Sequence, residues 1–304
     1  MLTKDIIQKV MDSQDDNNLY LVEKLSEIAG FFVSNKKLLY LVRNDETHIN
    51  LNTKTEYLEM NTNVDILSVK DFQQFRTGKY NILRFINSES NKELESFINL
   101  CKAHAEYMHS SKFVEFFDSL IDIFQIPNDQ SFKNIVGLYG ELSIIKNIYD
   151  TYKVDISPFW HLNGSSSKYD FSLKNFNLEI KTTSSKNKMI DIKHYQIFNN
   201  ENNILGTVNL ITSKQGKNII ELIKELNQYK EAFKNINFTI NVEKELKRIS
   251  QNEIETQRFI VDNFAFYKCN DINPFNSIPE NIEELNYKID LTNSTNIDLA
   301  DFLY

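Results

Sequence analysis

Apolar and polar positions alternate most cleanly along residues 168–184, KYDFSLKNFNLEIKTTS. Phe171 and Leu173 point one way on the first run, Asp170 and Ser172 the other. On the second run Leu178 and Ile180 oppose Glu179 and Lys181. Strand side chains alternate faces with period 2, so this pattern predicts two antiparallel strands around the turn-rich Lys174-Asn175-Phe176-Asn177. A hairpin closed around Asn175-Phe176 pairs Leu173 with Leu178, Ser172 with Glu179 and Asp170 with Lys181. One face is then apolar and seats on a core. The other gathers two carboxylates and an ammonium. A one-residue slip would bury those charges, so the pattern constrains the register.

Other stretches organise around this hairpin. Ile6, Ile7 and Val10, then Tyr20, Leu21 and Leu25, read as helical over residues 1–27. Residues 31–33, 38–42 and 80–86 read as strands, giving a β-rich N-terminal module over 1–90. Leu94, Phe97, Ile98 and Cys101, and then Phe113, Phe117, Leu120 and Phe124, follow helical spacing across 91–126. A further helix runs to about Tyr149 on a stripe of Ile135, Leu138, Leu142, Ile145 and Tyr149, with Glu141 bordering it. Gly137 and Gly140 inside that helix cost about 1 kcal/mol each against alanine, and close packing on the hairpin would justify them. A loop over 151–168 holds Trp160, the only tryptophan, as an anchor. Then come a helix starting at Asp191–Gln196, a strand at Leu205–Ile211, an amphipathic helix at Asn218–Phe233 and a strand at Phe264–Tyr267. The expected organisation is an α/β domain over 91–268 and an acidic extension over 269–304, packing through Phe275, Ile278, Leu285 and Tyr287.

Charge changes the picture. The net charge of −8 argues against a simple electrostatic nucleic-acid binder. Residues 1–150 carry 16 basic and 22 acidic groups, and 269–304 carry one lysine against seven acids. Residues 151–250 carry 15 basic and 10 acidic groups, so the segment with the hairpin is the basic one. Cys101 and Cys269 have no metal-binding spacing and fit reduced thiols in a cytoplasmic protein. No apolar run reaches the ~18 residues of a membrane helix. Ser213–Asn218 fails as a phosphate loop, because Ile211 stands at the first glycine position and Asn218 replaces Ser/Thr; no nucleotide site is expected. His104 and His109 lie five apart, off the i, i+4 face of a metal pair, and read as structural or exposed.

The polar hairpin face carries the chemistry. Two carboxylates ~5 Å apart repel by roughly 3 kcal/mol at an effective dielectric of ~20. Lys181 offsets part of that, and a divalent cation would offset more. Mg²⁺ suits one or two carboxylates plus substrate phosphate, which points to phosphodiester hydrolysis. Of two other [DE]-x-K triplets, Asp191-Ile192-Lys193 has no alternating acidic strand before it, and Glu245-Leu246-Lys247 lies in a helix-like stretch.

Asp170 followed by Glu179-Ile180-Lys181 resembles the D…(D/E)-x-K signature of the PD-(D/E)XK nuclease superfamily, with Tyr-Asp in place of Pro-Asp. The order GLYGEL at 137–142, lone Trp160, then the two motifs, resembles an uncharacterised subgroup that accompanies bacterial restriction and phage-defence genes. The motifs cover roughly Phe132–Leu210. The resemblance implies a restriction-endonuclease-like α/β fold, a mixed sheet flanked by helices. It implies Asp170, Glu179 and the Ile180 carbonyl as ligands of Mg²⁺ or Mn²⁺, with Glu141 completing the acidic cluster and Lys181 orienting the water. Thr182, Thr183, Lys186 and Lys188 suit phosphate contacts just past the active strand, and the subgroup resemblance adds a polar contact from Gln196. The expected activity is Mg²⁺-dependent DNA cleavage in restriction or phage defence, with DNA, other defence subunits and a second copy as candidate partners. The alternative is a catalytically silent subunit of the same fold that scaffolds or senses DNA.

Overall fold

The computed structural model describes residues 5–6, 8–9, 12, 18–44, 50–67, 77–86, 91–107, 112–125, 135–161, 168–183, 189–197, 202–229, 232–233, 235–272, 281–282 and 285–304. The chain divides into two compact units, residues 1–127 with 235–244, and residues 128–234 with 245–304.

Six antiparallel strands form the sheet of the first unit, in the order β1-β2-β3-β6-β5-β4. They are β1 (Tyr20–Lys24), β2 (Ala29–Ser34), β3 (Lys37–Arg43), β4 (Asn52–Lys54), β5 (Leu58–Ile66) and β6 (Gly78–Phe85). Asn35 and Lys36 join β2 to β3 with φ of 49° and 55°. A two-residue turn with both centres left-handed matches the right-handed twist of its strands. β1 corrects the second half of the expected helix over 1–27: Tyr20 and Leu21 pair with Val33 and Phe32, while Asp5, Ile6, Gln8 and Lys9 are helical. Apolar residues at such short spacing suit a strand as well as a helix, and a partner edge decides.

Helices α1 (Asn91–Tyr107) and α2 (Phe113–Gln125) share one core with this sheet. Phe97, Cys101, Phe116 and Phe117 pack with Phe31, Tyr40 and Leu83, and Ile236 and Ile240 join them. Residues 91–125 thus pack with the N-terminal strands, whereas the sequence pattern grouped them with the later residues. An amphipathic stripe fixes which face of a helix is buried, not which sheet buries it.

The second unit centres on a four-stranded mixed sheet of order β11-β10-β8-β7. Its strands are β7 (Phe171–Ser172), β8 (Asn177–Thr183), β10 (Asn203–Lys217) and β11 (Phe259–Lys268). β8 and β10 are parallel, and the other pairs antiparallel. A separate ribbon pairs β9 (Met189–Lys193) with β12 (Asn286–Asp290). The strand β9 corrects the expected helix start at Asp191; only His194–Ile197 turn helical, as α4. Buried Ile190 and Ile192 alternate with exposed Met189, Asp191 and Lys193, a period-2 pattern.

Helix α3 (Ile135–Tyr152) lies on the other face of β8. Helix α5 (Ile219–Leu226) begins at a reciprocal cap between Asn218 and Glu221 and stops well short of Phe233. Helices α6 (Ile236–Lys247), α7 (Gln251–Thr256), α8 (Cys269–Ile272) and α9 (Ala300–Leu303) complete the elements. Tyr287 packs on the cluster of Ile190, Ile192, Leu205 and Tyr267, so residues 286–290 belong to the second unit's core. Phe275 and Ile278 lie outside the described residues. The fold is mixed α/β, with helices flanking the strands, as in restriction-endonuclease-like proteins. Among the described residues no helix is long and apolar enough to cross a membrane.

Candidate active site

Strand β8 carries the centre of the site. Leu178, Ile180 and Thr182 face α3, while Glu179 and Lys181 face the β9–β12 side. The parallel register fixes this, since Glu179 stands beside Leu205 of the ribbon-side cluster and Ile180 beside Gly206. A Cβ on Gly206 would come within 2.7 Å of Ile180 Cδ1, so a larger residue there would make that side-chain end shift.

The expected hairpin forms with its register displaced by two residues. Phe171 pairs with Leu178 and Ser172 with Asn177. Leu173 N donates to Phe176 O at 3.0 Å, closing the turn around Lys174-Asn175 instead of Asn175-Phe176. A two-residue shift keeps every side chain on its face, so the apolar and charged faces survive. Asp170, expected opposite Lys181, comes instead to Glu179–Ile180. Its Oδ2 accepts from Ile180 N at 2.7 Å, beyond the end of short β7, where no strand partner follows. Its carbonyl accepts from His161 N at 2.8 Å.

Glu179 is 4% exposed. Lys181 Nζ donates to its Oε1 at 2.6 Å, Gln196 Nε2 donates to the same oxygen, and the Asp170 backbone N–H also reaches the carboxylate. Lys193 N donates to Gln196 Oε1 at 3.1 Å, which sets the orientation of the amide. Burial pushes the Glu179 carboxyl above its usual range; Lys181 pulls it back, and Glu141 pushes it further up. Removal from water dominates over the one ion pair.

Glu141 comes from α3 and is 6% exposed. Trp160 Nε1 donates to its Oε2 at 2.8 Å. Trp160 also bridges to Phe171, which carries the 157–161 turn onto the edge of β7. The lone tryptophan therefore steers the third acid, a role its position in sequence did not reveal. Gly140, beside Glu141, lets α3 touch β8 directly: a Cβ there would lie 1.8 Å from Thr182 Oγ1. Thr182 is consequently packed beneath α3, on the face opposite Lys181, and is not grouped with the candidate phosphate contacts. Gly137 meets nothing within 4 Å, so close packing does not account for it. Thr183 follows Lys181 on the polar face, and Lys186 and Lys188 lie outside the described residues. Cys269 is buried, as a free thiol, and its pKa is pushed up to about 12, first by burial and then by Glu179.

Between β8 and the ribbon lies a cavity of about 580 Å³ lined by Lys181, Lys193, Lys288, Asp191, Gln196 and Tyr287. Lysines outnumber acids on its wall. Lys181 connects this groove to buried Glu179, with its own side chain 24% exposed. Among the described residues no three His, Cys, Asp or Glu side chains converge as a ready cage for a metal. Two carboxylates and a main-chain carbonyl are nevertheless the hard oxygen set that Mg²⁺ accepts, because it keeps several waters. A carboxyl destabilised by burial and by a second acid is where added positive charge helps most. The donor chemistry thus fits a hard divalent cation.

Neither curated proteins nor solved structures give a match. Residues 18–292 match the family described as "Putative PD-(D/E)XK family member, (DUF4420)". That match spans most of the chain, and the chain belongs to this family of the PD-(D/E)XK superfamily.

Proposed function

We propose that this chain is a Mg²⁺-dependent endodeoxyribonuclease acting in the cytoplasm within a restriction or phage-defence system. The observation that carries the reading is buried Glu179, pressed by Glu141 and burial, and linked through Lys181 to a lysine-lined groove. Lys193 and Lys288 on the ribbon suit the phosphate backbone of a DNA strand in that groove. Asp170, Glu179, the Ile180 carbonyl and Glu141 would hold Mg²⁺ or Mn²⁺. When bound, the cation polarises the scissile phosphate and lowers the pKa of its water. Lys181 Nζ donates to the attacking water and orients it. Gln196 and the Asp170 N–H hold the Glu179 carboxylate in place for both roles. The defence setting rests on the motif order shared with the subgroup.

A second reading, a silent scaffold or DNA-sensing subunit, draws on Lys181 being closed onto Glu179 at 2.6 Å. One experiment separates the two. Supercoiled plasmid is incubated with Mg²⁺ and the protein, and Mn²⁺ binding is titrated calorimetrically. Lys181→Ala should retain Mn²⁺ binding and lower nicking by ~10²–10⁴-fold, the usual worth of a positioned proton-handling group. Asp170→Ala should lose both while remaining folded. Absence of both Mn²⁺ binding and nicking in the wild type would leave the silent subunit as the better description.

A further inference from the structure

A second cavity, of about 310 Å³, opens on the opposite side of α3, between that helix, α5 and the ends of β10 and β11. Tyr139, Ser143, Lys146, Asn147 and Asp150 line it as one helical stripe of i, i+4, i+7, i+8 and i+11. Glu141 projects from the other side of the helix. The active-site acids therefore do not account for this wall.

Ser143 is the telling residue. It is 3% exposed, its Oγ is buried without a hydrogen-bond partner, and the residue lines the cavity. A buried hydroxyl without a partner is costly, and Ser/Thr in helices ordinarily bond a carbonyl of the preceding turn. We infer that the cavity is a binding site for a neutral, planar nitrogen heterocycle of nucleobase or nucleoside size.

Three properties of the wall select that class. Its cations are already matched: Lys146 pairs with Asp150 at 2.6 Å, and Lys217 pairs with Glu225. A charged ligand finds no counter-ion in excess. Partly exposed Phe264 supplies aromatic surface for a flat ring, backed by buried Tyr139 and Phe259. Ser143, Asn147 and Gln215 together offer donors and acceptors to a ring edge bearing both. The volume stands at the lower bound of small-molecule sites, ~300 Å³. The same chemistry is offered by a free nucleoside and by a base turned out of a nucleic-acid strand.

Saturation-transfer NMR on the full chain, without divalent cation, is the test, with adenosine, guanosine, cytidine and thymidine as probes. Any nucleoside that binds is then titrated calorimetrically. At least one should bind. Ser143→Leu, which fills the cavity, should weaken it by about tenfold or more. Gln215→Ala and Asn147→Ala, at less buried positions, guard against a folding defect and should each weaken it by about threefold or more. Duplexes carrying 2-aminopurine distinguish the sources. A fluorescence rise abolished by Ser143→Leu assigns the site to a strand's base, and its absence beside nucleoside binding assigns a free nucleoside. No binding by all four nucleosides and no fluorescence rise overturns the inference, as does binding that none of the three substitutions weakens.

Discussion

The two units each bury a titratable side chain, and they treat it in opposite ways. His104, 1% exposed in the first unit, sits among aromatic rings. Phe116 stacks on it at 4.3 Å, Phe113 meets it edge-on at 5.9 Å, and Tyr40 Oη lies 2.8 Å from its Nδ1. Burial alone lowers its pKa to about 4, so it stays neutral. Glu179 in the second unit is as deeply placed but surrounded by charge: one lysine, a second acid and oriented N–H groups. A core histidine is made harmless by an apolar shell. The carboxylate of the proposed site is kept under tension by a polar one. Depth of burial does not distinguish a core residue from a site residue; the company of other charges does.

The largest test concerns His104. Its folded-state value of about 4 lies below the ordinary 6.5, so stability is present above pH 6.5 and is lost as pH falls toward 4. The gap is worth about 3 kcal/mol. Hydrogen-exchange protection factors in peptides from β3 and α1, taken against the intrinsic rate at each pH, should fall across that window. Trp160, the only tryptophan, reads the second unit by fluorescence and supplies the contrast. His104→Phe should flatten the pH dependence of the first unit. An unchanged slope would mean that another group controls it.

Next is the support of the third acid. Trp160→Phe keeps a ring but removes the donor to Glu141 Oε2, so it should cost about 2 kcal/mol in denaturant unfolding. The equivalent loss in the first unit, Tyr40→Phe beside neutral His104, should cost about 1 kcal/mol, because no charge is involved. Equal losses would erase the distinction between the two shells.

A smaller effect separates two glycines that look alike in sequence. Gly140→Ala drives a Cβ into Thr182 and should cost about 1–2 kcal/mol net. Gly137→Ala meets open space and should gain up to about 1 kcal/mol in helix propensity. Thermal melts of both variants check the opposite signs.

These glycines also illustrate how far the sequence could be read. Both were conspicuous inside an apolar helix, but the strand that comes near only Gly140 is reached through Thr182, far along the chain. Hairpin parity was legible because alternation is local. Its register was not, since the closing Leu173–Phe176 turn and the Asp170 carboxylate on Ile180 N compete with the simpler pairing. Glu179, Lys181 and Asp170 were recognisable by spacing. Trp160 on Glu141 and Gln196 on Glu179 join residues 19 and 17 apart, and neither pair has a periodic signal. Short runs such as YLVEK and MIDIK fit both strand and helix templates, and only a neighbouring edge settles them.

The smallest effect has the reverse sign and bears most directly on the comparison. Glu179 is held above its usual carboxyl range, first by burial, so its ionised form is less favourable in the folded chain than in the unfolded one. Stability from this group is therefore complete below the ordinary carboxylate range and is lost as pH rises through the raised folded value. Glu179→Gln removes that loss while keeping an acceptor for Lys181, which reaches solvent in part. Without divalent cation the variant should melt slightly higher than wild type near neutral pH. The advantage should fade as pH falls toward the carboxylate range, where both chains carry a neutral side chain. Adding Mg²⁺ should raise the melting temperature of the wild type and not that of the variant, reversing the order. A variant less stable than wild type at neutral pH, with no cation present, would mean that Lys181 and the N–H donors outweigh burial, making Glu179 a settled structural ion pair rather than a carboxylate held in readiness.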